Sequence, residues 1–391
     1  MKAPREKNKP ALTGRRAWAG AAGIWLVAGL VLGRPFPAGS AARPPAVRQR
    51  VAVAPGGCGF VLLPEKRPFI PWGFNYDRDH RSRLLEDYWD TEWDTVEADF
   101  REMKALGANV VRIHLQFPRF MEAPRRPRRA ALDRLERLME LCDRLGLYLD
   151  VTGLACYRKA DVPAWYDALG ESQRWAAQAS FWAAVARRGA RHGCIFAYDL
   201  MNEPLLPEAA LAPRAWLHPF ALGGFHYVQY ISLDPAGRSR PEIARAWIRR
   251  LAQAVRRADP GRLVTVGLLP NSLEDPARGS GFAPQTVARD LDYLSVHIYP
   301  NRGKLGEALD TLGGFQAGKP VVIEEMFPLG CDAEELGDFI QRSQGRAQGW
   351  LGFYWGQGPD ELRGSKKIGD AMLLGWLELF QKLNPNRPAA E

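Results

Sequence analysis

The chain contains 391 residues, of which 46% are hydrophobic, 25% charged and 10% aromatic. This is the composition of an ordinary globular protein, and it excludes a disordered chain, a collagen and a disulfide-stapled miniprotein. Residues 1–42 contain seven Lys or Arg and one Glu, so they carry six of the nine formal positive charges. The small positive charge on the rest of the chain does not indicate a nucleic-acid partner.

The basic N-terminal segment has the layout of a targeting signal. Basic residues precede an uncharged apolar run over residues 17–33, and small residues follow at positions 38 and 40–42. This order predicts a signal peptide over residues 1–42, cleaved near residue 41 to 43, and a catalytic domain over residues 43–391. An uncleaved signal anchor is the alternative, because the run is only slightly shorter than a bilayer-spanning helix. The adjacent Arg15 and Arg16 also permit twin-arginine export. We therefore expect a secreted or periplasmic protein, or one anchored in the membrane through residues 17–33.

The cysteines are widely spaced, at Cys58, Cys142, Cys156, Cys194 and Cys331. This spacing excludes a zinc ribbon and a Cys-x-x-Cys redox site. One disulfide is possible in an exported protein, but for most of the five we expect a role as small buried apolar residues.

After residue 50 the pattern begins with a predicted hairpin, Val51–Val53 and Phe60–Leu63, around the turn Pro55-Gly56-Gly57. Eight β-rich runs follow, with amphipathic helices between them. The predicted strands are Pro68–Asn75, Asn109–Leu115, Leu147–Thr152, Ile195–Asn202, Leu263–Leu268, Leu291–Tyr299, Val321–Glu325 and Trp350–Trp355. The clearest predicted helices run through residues 93–106, 132–142, 171–191, 243–255 and 369–380.

Near-continuous apolar strands separated by amphipathic helices predict a parallel sheet covered by helices. Eight such units in about 320 residues indicate a (β/α)8 TIM barrel that forms a single catalytic domain. A doubly wound dinucleotide-binding fold is the alternative, but it needs a Gly-x-Gly-x-x-Gly turn after the first strand, and the sequence has none there. Barrel enzymes place their chemistry at the carboxyl ends of the strands, so the residues at those ends are the candidates for function.

Two strand ends carry carboxylates. The fourth strand ends in Asn202-Glu203-Pro204, and the seventh ends in Glu324-Glu325. On opposite strands of one barrel, such carboxylates would face each other across the mouth, as glycoside hydrolysis requires.

Other strand ends strengthen this interpretation. Arg112 lies within the second strand and is costly to bury unless it meets a carboxylate, for which Glu325 is the obvious partner. His297 and Tyr299 fall on the same face at the end of the sixth strand. Trp355 ends the eighth strand, where its flat face can support a sugar ring.

Together these residues resemble glycoside hydrolase family 5 of clan A, the cellulase and mannanase superfamily. The resemblance rests on residues at the matching strand ends, namely Arg112, Asn202, Glu203, His297, Tyr299, Glu325 and Trp355. The opening Trp72-Gly73-Phe74-Asn75-Tyr76 is also similar. One departure is the end of the third strand, which reads Val151-Thr152-Gly153 where many cellulases carry a histidine. That departure argues against a plain cellulase.

The chemistry and the resemblance assign roles. Glu203 would be the general acid/base and Glu325 the nucleophile of a retaining reaction, with Arg112 and Tyr299 keeping Glu325 ionised. Asn202 would bond the sugar 2-hydroxyl. The resemblance further implies that His297 lies beside the acid/base and that Trp355 forms the floor of the subsite for the reacting sugar.

Three neighbouring features need separate interpretations. Because consecutive strand residues point to opposite faces, we expect Glu324 to lean toward a neighbouring strand or helix and not to enter the active site with Glu325. Residues 204–238 form an excursion too long for an idle connection, and Trp216 and Phe220 within it are expected to stack on sugars. Residues 77–80, Asp-Arg-Asp-His, predict a solvated or sugar-binding loop and not a metal site.

The sequence therefore predicts an exported retaining β-glycoside hydrolase, an endo-β-mannanase or endoglucanase-like enzyme that acts on a β-1,4-linked mannan, glucan or related glycan. We expect no metal and no cofactor, an oligo- or polysaccharide as substrate, no nucleic-acid partner and a monomer. A barrel that binds glycans without cleaving them is the alternative from another class. An exo-acting β-glycosidase or a transglycosylase is the alternative among enzymes.

Overall fold

The computed structural model describes residues 49–274 and 279–387. The predicted targeting segment, residues 1–42, lies outside these ranges. Within them, no helix has both the length and the apolar character needed to cross a membrane.

Eleven strands make up the two main sheets. A small antiparallel sheet consists of β1 (Val51–Val53), β2 (Phe60–Leu62) and β3 (Arg67–Phe69). The barrel strands are β4 (Trp72–Tyr76), β5 (Val110–Gln116), β6 (Tyr148–Ala155), β7 (Ile195–Asn202), β8 (Leu263–Leu268), β9 (Leu294–His297), β10 (Val321–Glu325) and β11 (Gly349–Phe353). Short strand pairs also join Met121–Ala123 to Arg126–Pro127 and Pro204–Leu205 to Gln229–Tyr230.

The eight barrel strands are parallel and each pairs with the next, from β4 to β11, and β11 pairs with β4. The sheet is therefore closed, which confirms the TIM barrel and excludes the doubly wound alternative. Nearly every residue of these strands is buried, as expected for parallel strands enclosed by side chains inside and helices outside.

In the described ranges, seven longer helices cover the barrel. They are α1 (Trp93–Ala105), α2 (Arg129–Leu145), α3 (Glu171–Gly189), α4 (Arg240–Ala258), α5 (Leu305–Gly314), α6 (Ala333–Ser343) and α7 (Ile368–Leu383). Local signals set their ends: Gly146 closes α2 with a left-handed φ of 72°, and Ser239 opens α4 through a capping box with Glu242. In the described part of the connection between β8 and β9, the helical elements are short: the 3-10 turns Pro270–Leu273 and Ala288–Asp290 and the single α-helical turn Pro284–Val287.

The three-stranded sheet closes the amino-terminal end of the barrel. Phe60 of β2 packs edge-on against Phe196 and Tyr293, with ring centroids 5.3 and 5.4 Å apart. The predicted hairpin is confirmed as β1 and β2, and β3 adds a strand that the sequence pattern merged with β4. Pro71 explains the interruption, since proline has no N–H for a strand ladder. Because this end of the barrel is covered, we expect a functional site at the opposite end, where the carboxyl ends of the strands lie.

All five cysteines lie in the described ranges. Cys58 is exposed and the other four are buried, which confirms the predicted apolar role for most of them.

Candidate active site

A cleft of about 240 Å³ opens at the carboxyl ends of the barrel strands. Its polar and aromatic lining consists of Asp77, Arg78, His114, Asn202, Glu203, Tyr227, Tyr299, Glu325 and Trp355. Its apolar lining consists of Phe220, Leu222, Phe225, Val228, Phe327, Leu329 and Phe353. Five of the seven predicted site residues therefore line one cleft, and the other two, Arg112 and His297, lie buried next to it.

Arg112 is the centre of the charge network beneath the cleft. Its side chain is fully buried, and one guanidinium nitrogen donates to Glu325 Oε1 at 2.7 Å and to Asn75 Oδ1 at 2.9 Å. The other donates to Asp199 Oδ2 at 2.7 Å and to Asn202 Oδ1 at 2.9 Å. The predicted pairing of Arg112 with Glu325 is confirmed, and the arginine also orients Asn202.

Glu325 is held from two sides. Besides the Arg112 contact at Oε1, its Oε2 accepts a hydrogen bond of 2.7 Å from the Tyr299 hydroxyl. Charge-assisted hydrogen bonds of this kind stabilise an ionised carboxylate and fix its direction. Glu325 is therefore fixed in place and still lines the cleft, as a nucleophile requires.

The expectation that Glu324 does not enter the cleft with Glu325 is confirmed, but the expected alternation of faces was wrong. Its side chain is fully buried and points into the barrel, with Oε2 3.4 Å from Arg112 Nη2 and 3.6 Å from His297 Nε2. The reason is a β-bulge: in the pairing of β9 with β10, Val296 stands opposite Ile323 but His297 stands opposite Glu325. The extra residue breaks the alternation of faces, so both glutamates turn inward. Only Glu325 lines the cleft, and Glu324 lies below it.

Glu203 reaches the cleft through an unusual backbone conformation. It follows the last residue of β7 with a φ of 45°, in the left-handed region that side chains other than Gly seldom adopt. Its Oε1 lies 2.8 Å from His297 Nδ1, so His297 does lie beside the predicted acid/base.

His297 is buried among carboxylates. Burial alone would lower its pKa, but the charges of Glu325 and Glu203, with Glu324 beside Nε2, outweigh burial and raise the pKa to about 10. The imidazole is therefore protonated at neutral pH, and its Nδ1–H donates to Glu203.

The two candidate catalytic carboxylates are close together. One carboxylate oxygen of Glu203, one of Glu325 and a ring nitrogen of His297 all lie within 4.8 Å of one another. Retaining glycosidases place their carboxyl groups about 5 to 5.5 Å apart, whereas inverting enzymes leave a wider gap for water. The same spacing would suit a metal ion, but a protonated imidazole is a poor ligand. Metal independence stays a prediction.

The structure adds site residues that the sequence analysis did not assign. His114 lines the cleft two residues after Arg112, and its Nδ1 accepts from the Tyr157 hydroxyl. Burial first, and then the charge of Arg112, place the pKa of His114 well below its usual range, so this histidine is neutral. The period-2 spacing from Arg112 could have identified His114.

Gly267 on β8 is a second missed feature. A Cβ at this position would come within 2.9 Å of His297 Nε2 and 3.2 Å of Arg112 Nη2. The missing side chain leaves room for both cations beneath the cleft.

Of the three aromatic side chains predicted to contact sugar, two line the cleft and one does not. Trp355 lines the cleft, stacked on Phe353 with ring centroids 5.3 Å apart. Phe220 also lines the cleft and is 63% exposed. The prediction for Trp216 was wrong: it is 3% exposed, lies outside the cleft lining and packs against the Arg174 guanidinium at 4.3 Å. In the loop after β4, Asp77 lines the cleft.

Comparisons with known proteins agree with this geometry. The sequence model of the family described as Cellulase (glycosyl hydrolase family 5) matches residues 74–326, more than half of the chain. No curated protein matches the chain in sequence.

Solved structures share the fold at low sequence identity. An exo-β-1,4-mannosidase from Opitutaceae bacterium strain TAV5 is 17% identical with a TM-score of 0.62, covering 85% of this chain, which spans only 62% of that protein. A GH5_18 protein from Streptomyces cattleya, in complex with Manβ1-4GlcNAc, is 18% identical with a TM-score of 0.60, covering 83% of each chain. A β-1,4-mannanase from the sea hare Aplysia kurodai is 16% identical with a TM-score of 0.58, covering 85% of this chain and 96% of its own.

The segment matched by the family model ends one residue after Glu325. It contains both candidate carboxylates as well as Arg112, His297 and Tyr299, so the site and the family match agree. The chain belongs to glycosyl hydrolase family 5.

Proposed function

We propose that this protein is a retaining β-glycoside hydrolase with Glu325 as nucleophile and Glu203 as acid/base. The observation that carries the proposal is the pair of carboxylate oxygens within 4.8 Å of each other, because retaining enzymes hold their two carboxyl groups closer together than inverting enzymes do. The surroundings of the two carboxylates differ: Arg112 and Tyr299 each donate to an oxygen of Glu325, whereas His297 donates to one oxygen of Glu203 and leaves the other oxygen for the proton.

The reaction then proceeds in two displacements. Glu325 attacks the anomeric carbon while Glu203 gives its proton to the leaving oxygen, which produces a glycosyl ester on Glu325 and a free alcohol. Glu203, now ionised, takes a proton from water, and the resulting hydroxide displaces Glu325. Asn202, which accepts a hydrogen bond from Arg112, would bond the sugar 2-hydroxyl.

For the substrate we propose a β-1,4-linked mannan, glucan or related glycan. The solved structures with this fold include an exo-β-1,4-mannosidase and a β-1,4-mannanase, which supports testing β-mannosides first. Exo action is the second candidate, because a cleft of about 240 Å³ is below the usual range for ligand pockets and suits one sugar ring better than a chain.

The test is a substrate panel combined with carboxylate variants. Purified residues 43–391 would be incubated with β-mannans, β-glucans and aryl β-glycosides, and release of sugar measured. Glu325→Ala should lower kcat by several orders of magnitude, and azide should restore turnover with inverted product. Glu203→Ala should spare aryl glycosides with good leaving groups, because these need no proton.

Glu307→Ala, on the exposed side of α5, is the matched control and should behave as the wild type. Binding of glycans without any turnover in the wild type would support the non-catalytic barrel instead. Full activity of Glu325→Ala would contradict the assignment of the nucleophile.

We also propose that the protein is exported and monomeric. The basic, apolar and small residues within positions 1–42 support export. N-terminal sequencing of the exported protein should begin near residue 41 to 43. A sequence beginning at Met1 would leave only the anchored form.

A further inference from the structure

The cleft reverses the usual distribution of polar and apolar side chains. Its floor is polar, with Asn202 and Glu325 only 1% and 8% exposed. Its mouth is apolar, with Phe220, Leu222 and Leu329 exposed at 63%, 55% and 63%. Folding in water favours the opposite arrangement, because buried polar groups cost free energy unless they are paired.

The exposed apolar residues are concentrated at this mouth. Within the part of the chain that the structure describes, five large apolar side chains are exposed, and three of them are Phe220, Leu222 and Leu329. The other two, Ile368 and Met372, lie on α7, outside the cleft lining. Single exposed apolar residues need no explanation, but a cluster beside a cleft marks a binding surface.

The mouth is poorly suited to a second sugar. Leu222 and Leu329 have no flat ring for stacking on a pyranose and no group that bonds a hydroxyl. Their neighbours in the lining, Phe225, Val228 and Phe327, are also apolar. A sugar subsite combines apolar contacts with placed polar groups, and at this mouth the exposed side chains supply only the first.

The mouth residues line the same cleft as both candidate catalytic carboxylates, Glu203 and Glu325. Phe220 and Leu222 belong to the excursion that starts directly after Glu203, the residue that protonates the leaving oxygen in the proposed mechanism. Leu329 follows Glu325 by four residues.

We infer that the site hydrolyses β-glycosides whose leaving group is an alkyl chain, with the sugar on the polar floor and the chain against Phe220, Leu222 and Leu329. This inference rests on the proposed function and names the leaving-group class for the same site.

The experiment compares methyl, butyl and octyl β-mannosides and β-glucosides, each below the concentration at which it forms micelles. Because burial of one methylene changes affinity about fourfold when complete and less when partial, kcat/KM should rise roughly two- to fourfold per carbon until the mouth is covered. Leu222→Ser and Leu329→Ser should flatten this rise. Ile368→Ser, which removes a more exposed aliphatic side chain outside the cleft, should leave the rise unchanged.

The outcomes separate the inference from the proposed function. Hydrolysis of the methyl glycosides with no increase along the series would overturn the inference and leave the glycosidase proposal standing. A rise that Ile368→Ser reduces as much as Leu329→Ser would also overturn it, because the effect would not belong to the cleft.

If no glycoside is hydrolysed, the proposed function fails, and calorimetric titration with methyl and octyl β-thioglycosides tests the mouth by itself. Tighter binding of the octyl compound, lost in Leu329→Ser, supports the apolar subsite. Equal binding of both compounds contradicts it.

Discussion

Replacing Arg112 with Met tests whether one cation holds the site together. Three carboxylates surround the guanidinium, those of Asp199 and Glu325 at 2.7 Å and that of Glu324 at 3.4 Å. All three carboxylates are buried, so Arg112→Met leaves them as uncompensated negative charges in the protein interior. Breaking a buried ion pair from one side costs about 3 to 5 kcal/mol, which at roughly 2 °C per kcal/mol lowers Tm by about 6 to 10 °C.

The pH dependence of this loss follows from Asp199. Burial first, and then the charge of Glu324, raise the pKa of Asp199 to about 6, while Arg112 opposes both. Without Arg112 the pKa of Asp199 rises further, so the folded protein holds a proton there that the unfolded chain releases at lower pH. Stability of Arg112→Met should therefore fall as pH rises above the unfolded value of 3.8 and be worst near pH 8.

A second substitution separates charge from packing. In the Arg112→Met background, Glu324→Gln removes one of the uncompensated charges and should recover about 1 to 3 kcal/mol of unfolding free energy, measured by urea denaturation. Arg262→Met is the control, because Arg262 is equally buried but pairs with Asp259 at 2.9 Å, away from the site. If Glu324→Gln gave the same effect in both backgrounds, or Arg112→Met kept wild-type stability, the role given to Arg112 would be refuted.

Two further predictions concern the aromatic residues of the loop after β7 and the buried carboxyl group of Glu86. Trp216→Ala should cost about 3 to 5 kcal/mol of stability, because it empties a packed position beside Arg174, and should leave kcat/KM nearly unchanged. Phe220→Ala should lower kcat/KM and leave stability nearly unchanged. Denaturation and kinetic assays of both variants check the two predictions. Burial above all raises the pKa of Glu86 from 4.5 to about 7, so the folded state loses stability as pH rises from about 4.5 through 7. Glu86→Gln should then stabilise the protein by up to about 3 kcal/mol at pH 8 and have little effect at pH 4.5, as thermal unfolding at both values would show; an equal effect at both would contradict the shift.

Much of the barrel follows from local pattern. The predicted bounds Ile195–Asn202, Leu263–Leu268 and Val321–Glu325 agree with β7, β8 and β10. These strands are buried on both faces, so their apolar runs end where the ladder ends. The predicted strand Leu291–Tyr299 is longer than the observed β9, Leu294–His297, because apolar character continues past the paired residues.

The site was predictable where it depends on strand ends and unpredictable where it depends on register. Arg112 lies in β5, His297 ends β9 and Tyr299 follows β9 by two residues, and each of them reaches its expected carboxylate. Glu324 does not follow the alternation, because a β-bulge leaves it without a paired residue on β9. Bulges depend on pairing between distant segments, and the sequence of one strand carries no sign of them.

The other wrong prediction concerns the long loop after β7. Trp216 and Phe220 lie four residues apart in the same excursion, yet one is 3% exposed and the other 63%. Both are large aromatic residues in the same loop, and the tertiary contacts of Trp216, to the Arg174 guanidinium and to the carbonyl of Asp167, distinguish it from Phe220. The composition of the loop does not reveal which of its aromatic side chains pack into the protein interior and which line the cleft.

The stereochemistry of the first product tests the central claim most directly. Proton NMR would follow the anomeric signals during hydrolysis of an aryl β-mannoside or β-glucoside by the wild-type protein, before mutarotation mixes the anomers. A double displacement through Glu325 predicts that the β-anomer forms first. Initial release of the α-anomer would mean that water attacks directly, and it would contradict the nucleophile role of Glu325.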